Sequence, residues 1–125
     1  AGRRCRMLDW IKYREEILGR AGELGKVAPE TMKGYAALDG AAAKGGHLEA
    51  KTRELISLAV AVTTRCDGCI TVHTKAAIDS GASKEEIAEA LSVAMAMNAG
   101  AALVYSTRVL DAFEAYSKQS AAASK

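Results

Sequence analysis

Four side chains in the middle of this chain have the types and the spacing for thiol chemistry: Glu54, Cys66, Cys69 and His73. Residues at i, i+3 and i+7 lie on one face of a helix, so a helix that starts near Cys66 would present both thiols and the imidazole together. The nucleophile is the thiolate, and a free cysteine, with a pKa near about 8.5, is mostly protonated at neutral pH. We therefore expect a dithiol whose protonation is controlled by neighbouring groups.

Two features of the sequence favour a thiolate. Cys66 lies near a helix N-terminus, whose partial positive charge contributes roughly 0.3–1 kcal/mol at an exposed site. Cys69 has His73 four residues later, an imidazole that can take its proton, and Glu54 would orient that imidazole as in a catalytic triad. Spacing alone leaves open which cysteine attacks. In either order, the second thiol can resolve a sulfenic acid or mixed disulfide on the first.

The elements that must position these side chains are helices. No segment shows sustained period-two alternation, so the sequence predicts an all-α fold of five or six helices in one domain, residues 1–125. Residues 55–62 are apolar on nearly every side apart from Ser57, which predicts a buried central helix over residues 48–65 with Glu54 near its start. The next helix should carry the two cysteines and His73 and end at Gly81. Ser83 and Glu86 then form a capping box before another helix.

The flanking segments are less regular. Residues 7–18 predict an amphipathic helix, which Gly19, Gly22 and Gly25 should end or loosen, and Pro29 should begin a helix that runs to about Lys44. Asn98 and Gly100 predict a kink or break before a last helix over 101–116. The inner face of the two C-terminal helices is predicted to comprise Ile87, Leu91, Ala94, Met95, Asn98, Leu103, Val104, Val109, Leu110 and Phe113. Residues 1–6 and 117–125 should be flexible ends.

Composition restricts the class of protein. The chain has 125 residues and a formal net charge of +2, which is not the strongly basic character of a nucleic-acid-binding domain. The N-terminus has neither a long apolar h-region nor a span of eighteen apolar residues, so we expect a cytoplasmic protein without a membrane segment. Aromatic residues make up 5% and alanine is plentiful. Alanine-rich helices bury little area each, so we expect a homo-oligomer.

Three segments carry a resemblance to a known family: Lys-Thr-Arg-Glu-Leu-Ile at 51–56, Cys-Asp-Gly-Cys-Ile-Thr-Val-His at 66–73, and Gly-Ala-Ser-Lys-Glu-Glu-Ile at 81–87. Together they resemble the carboxymuconolactone decarboxylase superfamily, specifically its AhpD-like alkylhydroperoxidase branch. The likeness covers about residues 32–113. A carboxylate twelve residues before C-x-x-C, with histidine four residues after it, is far more specific than C-x-x-C alone.

The resemblance implies an AhpD-like helical bundle of a single repeat, assembled as trimers or hexamers. It also implies an antioxidant peroxidase that reduces hydroperoxides and is reduced by a dithiol or a protein reductant. By this likeness Cys69 attacks, Cys66 resolves, and Glu54 and His73 relay protons, with the redox-active dithiol in place of a cofactor or metal. One departure is Gly68, where the best-characterised members of the branch have a second histidine.

Two other classes of function compete with this interpretation. A decarboxylase acting on a lactone or small organic acid would use Glu54 and His73 as acid and base and would need no dithiol. A non-enzymatic protein would use the cysteines as a redox sensor or as zinc ligands, supplemented by Glu54 or His47. His47 is more simply a solvated loop residue, and Cys5 an incidental cysteine in an exposed terminus.

Overall fold

The computed structural model describes residues 6–125 and folds them into five α-helices. These are α1 (Trp10–Val27), α2 (Pro29–Gly45), α3 (Ala50–Thr64), α4 (Asp67–Asp79) and α5 (Lys84–Ala123). The described residues include no strand, which confirms the all-α prediction. α3 packs against α4 and α5, while α1 packs against α4 and α2, so α3 and α4 form the centre of the bundle. The predictions for residues 1–5, including Cys5, lie outside the described residues.

α1 is longer than predicted, because the three glycines do not end it. A glycine within a helix costs only about 1 kcal/mol relative to alanine, which tertiary contacts can offset. Gly25 has a packing role, since a Cβ there would lie 3.3 Å from Cγ of Met32 in α2. The helix ends at Val27, immediately before Ala28, because the residue that precedes a proline disfavours helical geometry. Pro29 then starts α2, as predicted.

α3 is less buried than its apolar sequence predicts. Only Leu58 and Ala61 are buried in it, whereas Ile56 is 50% exposed and Val60 is 55% exposed. A helix that is apolar on all sides needs neighbours on all sides, and within this chain α3 packs mainly on two helices, α4 and α5. The prediction of a buried central helix is therefore wrong for the single chain.

α5 is one continuous helix of 40 residues, so the predicted break at Asn98 and Gly100 is wrong, and residues 117–123 of the predicted tail are part of this helix. The capping box of Ser83 and Glu86 at its start is confirmed. Asn98 does not disturb the helix because its side-chain amide donates both to Thr63 Oγ1 of α3, at 2.9 Å, and to a carbonyl in the preceding turn of α5. A polar residue anchored in this way is compatible with a helix interior.

The predicted inner face of the C-terminal helices is also largely wrong. Ala94 is buried, but Met95 and five further residues of that face are 65–71% exposed; those five are Leu103, Val104, Val109, Leu110 and Phe113. The last five lie beyond the end of α3, where the described part of the chain offers no helix for them to pack against. Among the described residues, α5 is also the one helix long and apolar enough to cross a membrane by length and composition, with a window of mean hydropathy 1.6.

Candidate functional site

The turn between α3 and α4 positions the first cysteine. Arg65 has a left-handed conformation, with φ of 54°, which ends α3. The backbone N–H of Cys66 then donates to Ala61 O at 3.0 Å, so the chain reverses directly into α4. This is the hydrogen bond of a Schellman motif, usually formed around a glycine. An arginine gives no sequence signal for a left-handed residue, so this geometry was not predicted, although the end of α3 near Arg65 and the start of α4 near Cys66 were.

Cys66 is the N-cap residue of α4, and its Sγ accepts a hydrogen bond of 3.1 Å from the backbone N–H of Cys69. The two cysteines form a disulfide, with their Cα atoms 5.2 Å apart. Both residues are half-buried. The structure therefore brings the two predicted thiols together at a helix N-terminus, where a thiolate on Cys66 would be stabilised by a backbone donor and by the helix dipole.

Glu54 and His73 form the second part of the site. Glu54 lies in the second turn of α3, and its Oε2 is 2.7 Å from Nδ1 of His73 on α4. An ionised carboxylate only accepts hydrogen bonds, so Nδ1 carries the proton and donates, which leaves Nε2 as the ring nitrogen for another partner. The two side chains are 22% and 29% exposed, respectively. The predicted orientation of the imidazole by the carboxylate is thus present as a direct contact.

His73 also shares a helix face with the cysteines. It lies four residues after Cys69 on α4, and residues four apart are neighbours on a helix surface. α4 and its N-cap carry the two cysteines and the imidazole, while α3 contributes only the carboxylate. The site is therefore built from one helix and one supporting side chain, and the contact between α3 and α4 holds it together.

Ile17 of α1 explains the glycine at position 68. A Cβ built on Gly68 would lie 3.0 Å from Cδ1 of Ile17, closer than side-chain carbons normally approach. A histidine there, as in the best-characterised members of the AhpD-like branch, would need Ile17 to move. Because α1 lies beyond the segment that carries the resemblance, sequence reasoning did not identify Ile17 as a neighbour of the cysteine pair.

A cavity of about 700 Å³ lies between α1 and α4, and neither cysteine of the pair lines it. Ile70, Thr71 and Ile78 of α4 line it together with Trp10 of α1, and Thr71 donates to Trp10 O at 2.8 Å. With about 100° between successive helical residues, these positions lie on the side of α4 away from Cys69 and the imidazole. The cavity is thus separated from the thiol chemistry by the helix itself.

His47 does not join the site. It lies in the turn between α2 and α3 and lines a cavity of about 420 Å³ with Leu48, Arg53 and Ile56, among others, but with none of the four site residues. Within residues 6–125, no three His, Cys, Asp or Glu side chains converge to hold a metal ion.

An ion pair near the N-terminus of α3 attaches this helix, which carries Glu54, to α5. Lys51 Nζ is 2.8 Å from Glu86 Oε1 of α5. The hydrogen bond and charge of Lys51, together with the backbone N–H of Ser83, lower the pKa of Glu86 below its usual range, and Glu86 raises the pKa of Lys51. Glu86 of the capping box thus also attaches α5 to α3, through Lys51, which lies about one turn before Glu54.

These four side chains can transfer a proton and undergo reversible oxidation at sulfur. A dithiol at a helix N-terminus can cycle between thiols and disulfide. An imidazole held by a carboxylate can act as a general base or acid. The same carboxylate and imidazole, without the cysteines, could also serve acid–base chemistry on a carbon acid.

Comparison with known proteins identifies the family of this chain. A model of the carboxymuconolactone decarboxylase family matches residues 29–112. An uncharacterized protein of Haemophilus influenzae is 53% identical over 113 residues, which span 90% of this chain and 97% of that protein. An uncharacterized protein of Cupriavidus necator is 35% identical over 100 residues, covering 80% of this chain and 88% of its own length.

A solved structure shows the same likeness. The crystal structure of a carboxymuconolactone decarboxylase family protein from Legionella pneumophila, in its apo form, superposes with a TM-score of 0.68 and 37% sequence identity. The match covers 84% of this chain and 94% of that one. By its sequence, its helical architecture and these relatives, the chain belongs to the carboxymuconolactone decarboxylase family.

Proposed function

We propose that this protein is a thiol-dependent hydroperoxide reductase of the AhpD-like branch, with Cys69, Cys66, His73 and Glu54 as its catalytic groups. The observation that carries the proposal is the hydrogen bond of 2.7 Å between Glu54 and His73, beside a cysteine pair on the same helix as the imidazole. A structural disulfide needs neither a general base nor a group to orient it. A cysteine peroxidase needs both.

In the first step His73 takes the Cys69 proton, and the thiolate attacks the terminal oxygen of the hydroperoxide. The S–O bond forms as the O–O bond breaks, and the alkoxide leaves as an alcohol after it receives the proton from His73. Cys69 is thereby oxidised to a sulfenic acid. The imidazolium that forms transiently is stabilised by the Glu54 carboxylate.

In the second step Cys66 gives its proton to His73 and its thiolate attacks the sulfur of the Cys69 sulfenic acid. The Cys66–Cys69 disulfide forms as the S–O bond breaks, and the oxygen takes the proton from His73 and leaves as water. An external dithiol then reduces the disulfide and becomes a disulfide itself, so each turnover converts one hydroperoxide and one dithiol. Attack by the dithiol at Cys69 would release Cys66, whose thiolate accepts the Cys69 N–H and is a good leaving group for that reason. A reducing compartment, the cytoplasm, would keep such a donor available.

The order of the two cysteines gives the sharpest test. Hydrogen peroxide, tert-butyl hydroperoxide and cumene hydroperoxide would be supplied with dithiothreitol or dihydrolipoamide as donor. We expect Cys66→Ser and Cys69→Ser each to lose multiple turnover by at least about 100-fold. In a single turnover without donor, Cys66→Ser should still reduce one equivalent of peroxide per chain, whereas Cys69→Ser should reduce none.

The matched control is Cys5→Ser, which changes the third cysteine and should keep full turnover. Equal activity of all three variants would refute the proposal. In that case acid–base chemistry of Glu54 and His73 on a lactone or small organic acid, which depends on no cysteine, becomes the better hypothesis. Release of alcohol by Cys69→Ser but not by Cys66→Ser would reverse the assigned roles.

A further inference from the structure

The cavity between α1 and α4 has the size of a site for a small organic molecule. Its volume is about 700 Å³, and pockets that hold such ligands commonly measure about 300–1,000 Å³. Its wall is mainly apolar, with Trp10 and Ile11 on α1 and Ile70 and Ile78 on α4. A concave apolar surface with a few polar groups is the usual form of a ligand site. We call it the α1–α4 cavity.

Arg14 is a polar residue of this cavity that lacks a partner. It is half-buried and lines the α1–α4 cavity one turn after Trp10. Its Nε is buried from solvent and makes no hydrogen bond with the described residues. None of the ion pairs within residues 6–125 includes its guanidinium. A guanidinium is always charged and has five N–H donors, so a half-buried one is unfavourable until another group supplies an acceptor.

The carboxylates of this sequence do not neutralise Arg14. Residues 1–5, which lie outside the described part of the chain, contain no Asp or Glu and so have no acidic side chain to offer. Glu15 also lines the cavity, but it is exposed and lies about 100° from Arg14 around α1, as successive residues of a helix do. Within this sequence no carboxylate is therefore placed to pair with Arg14, and a bound ligand can provide one.

The second cation of the cavity wall limits the charge of that ligand. Lys75 lines the cavity, but its Nζ already pairs with Oδ2 of Asp79 at 2.6 Å. Among the described residues, Arg14 is thus the cation of the wall that has no counter-ion. One carboxylate balances it, whereas a phosphate monoester, with a charge of about −2, would leave negative charge unneutralised beside Glu15. The planar guanidinium also matches a carboxylate in a bidentate contact.

From these observations we infer that the α1–α4 cavity binds a small apolar monocarboxylic acid. Its carboxylate accepts hydrogen bonds from the Arg14 guanidinium, and its hydrocarbon body packs against Trp10, Ile70 and Ile78. The cavity lies on the side of α4 away from Cys69, so a molecule bound there does not occupy the position of a hydroperoxide at the thiol. The inference therefore does not depend on the proposed peroxidase activity.

Trp10 makes binding directly observable. It is the only tryptophan of the chain and lies half-buried in the wall of the cavity, so its fluorescence reports occupancy without an added label or any turnover. The full chain would be titrated at neutral pH with octanoate, 1-octanol and octylammonium, which share one hydrocarbon chain and differ in charge. We expect octanoate to bind at least about 10-fold more tightly than octanol, and octylammonium to bind most weakly.

Arg14→Met tests the role of the guanidinium. Methionine keeps a long side chain and a similar helix propensity but removes the charge. We expect the variant to bind octanoate at least about 10-fold more weakly and to bind octanol as the wild type does. The matched control is Arg20→Met on the same helix, whose exposed guanidinium pairs with Glu23 at 2.9 Å and does not line this cavity. That variant should keep the affinity of the wild type for octanoate.

The melting temperature without ligand gives a second test. Because Arg14 has no partner among the described residues, Arg14→Met should leave the melting temperature unchanged or raise it. A melting temperature lower by about 4 °C or more would show that the protein itself, or another copy of it, pairs with Arg14, and would overturn the inference. Equal affinities of the wild type for octanoate and octanol, an equal loss of octanoate binding in both variants, or no fluorescence change with any of the three molecules would also overturn it.

Discussion

The turn between α3 and α4 differs in its contacts from residues 101–123 of α5, which we call the distal segment. At the turn, hydrogen bonds within one chain position the groups that the proposed chemistry needs. The Cys69 N–H donates to Sγ of Cys66, and Glu54 contacts His73. The distal segment, by contrast, is exposed throughout. The site is therefore determined locally by hydrogen bonds, whereas the distal segment leaves its apolar side chains exposed.

The difference predicts that the two regions respond to different experiments. Changes at the turn should alter turnover or local stability while the mass in solution stays the same. Changes in the distal segment, which holds none of the four site residues, should leave the contact between Glu54 and His73 intact. Among variants of the site and of its supporting contacts, the largest expected effect is on turnover. The next is on packing, and the smallest is on the pH dependence of stability.

Glu54→Gln should have the largest of these effects. It removes the charge that stabilises an imidazolium at His73 but keeps the shape, so we expect turnover to fall about 10- to 100-fold. The free energy of unfolding should change by about 1 kcal/mol or less. Peroxide consumption and urea denaturation measure the two quantities. The control is Glu49→Gln, at the start of α3, where no side-chain cap bond is made; unchanged turnover in Glu54→Gln would remove the carboxylate from the mechanism.

Gly68→His should have an intermediate effect, on stability. The new side chain competes with Ile17, whose Cδ1 would be 3.0 Å from the added Cβ, and overpacking of this kind costs about 1–3 kcal/mol. Ile17→Val removes that Cδ1, so the double variant should be less destabilised than the sum of the single variants by at least about 0.5 kcal/mol. Gly34→His, where a Cβ has no neighbour within 4 Å, should cost little. Strict additivity of Gly68→His and Ile17→Val would show that α1 does not restrict this position.

Glu86→Gln should have the smallest effect, visible only as a change in pH dependence. The lowered pKa of Glu86 in the folded chain means that its stabilising contribution is present at neutral pH and is lost as the pH falls through that pKa. The melting temperature of the wild type should therefore drop more steeply under acid conditions than that of Glu86→Gln. Glu85→Gln, its neighbour in the first turn of α5, serves as control; identical acid profiles for wild type and Glu86→Gln would contradict the ion pair.

Much of the site could be predicted from sequence because its geometry depends on short spacings. Cys66, Cys69 and His73 lie within two turns of one helix, and the capping box of α5 spans three residues. Helical periodicity converts such spacings directly into shared faces. The disulfide and the contact of His73 with Glu54 agree with this expectation, while the roles assigned to the four residues stay predictions.

The incorrect predictions concern features that depend on neighbours remote in sequence. The glycines of α1 and Asn98 of α5 are weak helix breakers, and packing against Met32 or Thr63 decides whether the helix continues. The apolar residues of α3 and of the distal segment were placed in a core that a single chain does not supply. Arg65 gives no signal at all, since its left-handed conformation is set by the turn and not by its side chain.

The hydrogen bond from the Cys69 amide to the Cys66 sulfur links the oxidation state of the pair to the backbone of α4. A thiolate is a stronger acceptor than a disulfide sulfur, so reduction strengthens the bond that starts the helix, and oxidation weakens it. The nitrogen and proton resonances of that one amide should therefore differ between the two forms. A single peak in a heteronuclear spectrum would then report the redox state of the protein without any added probe.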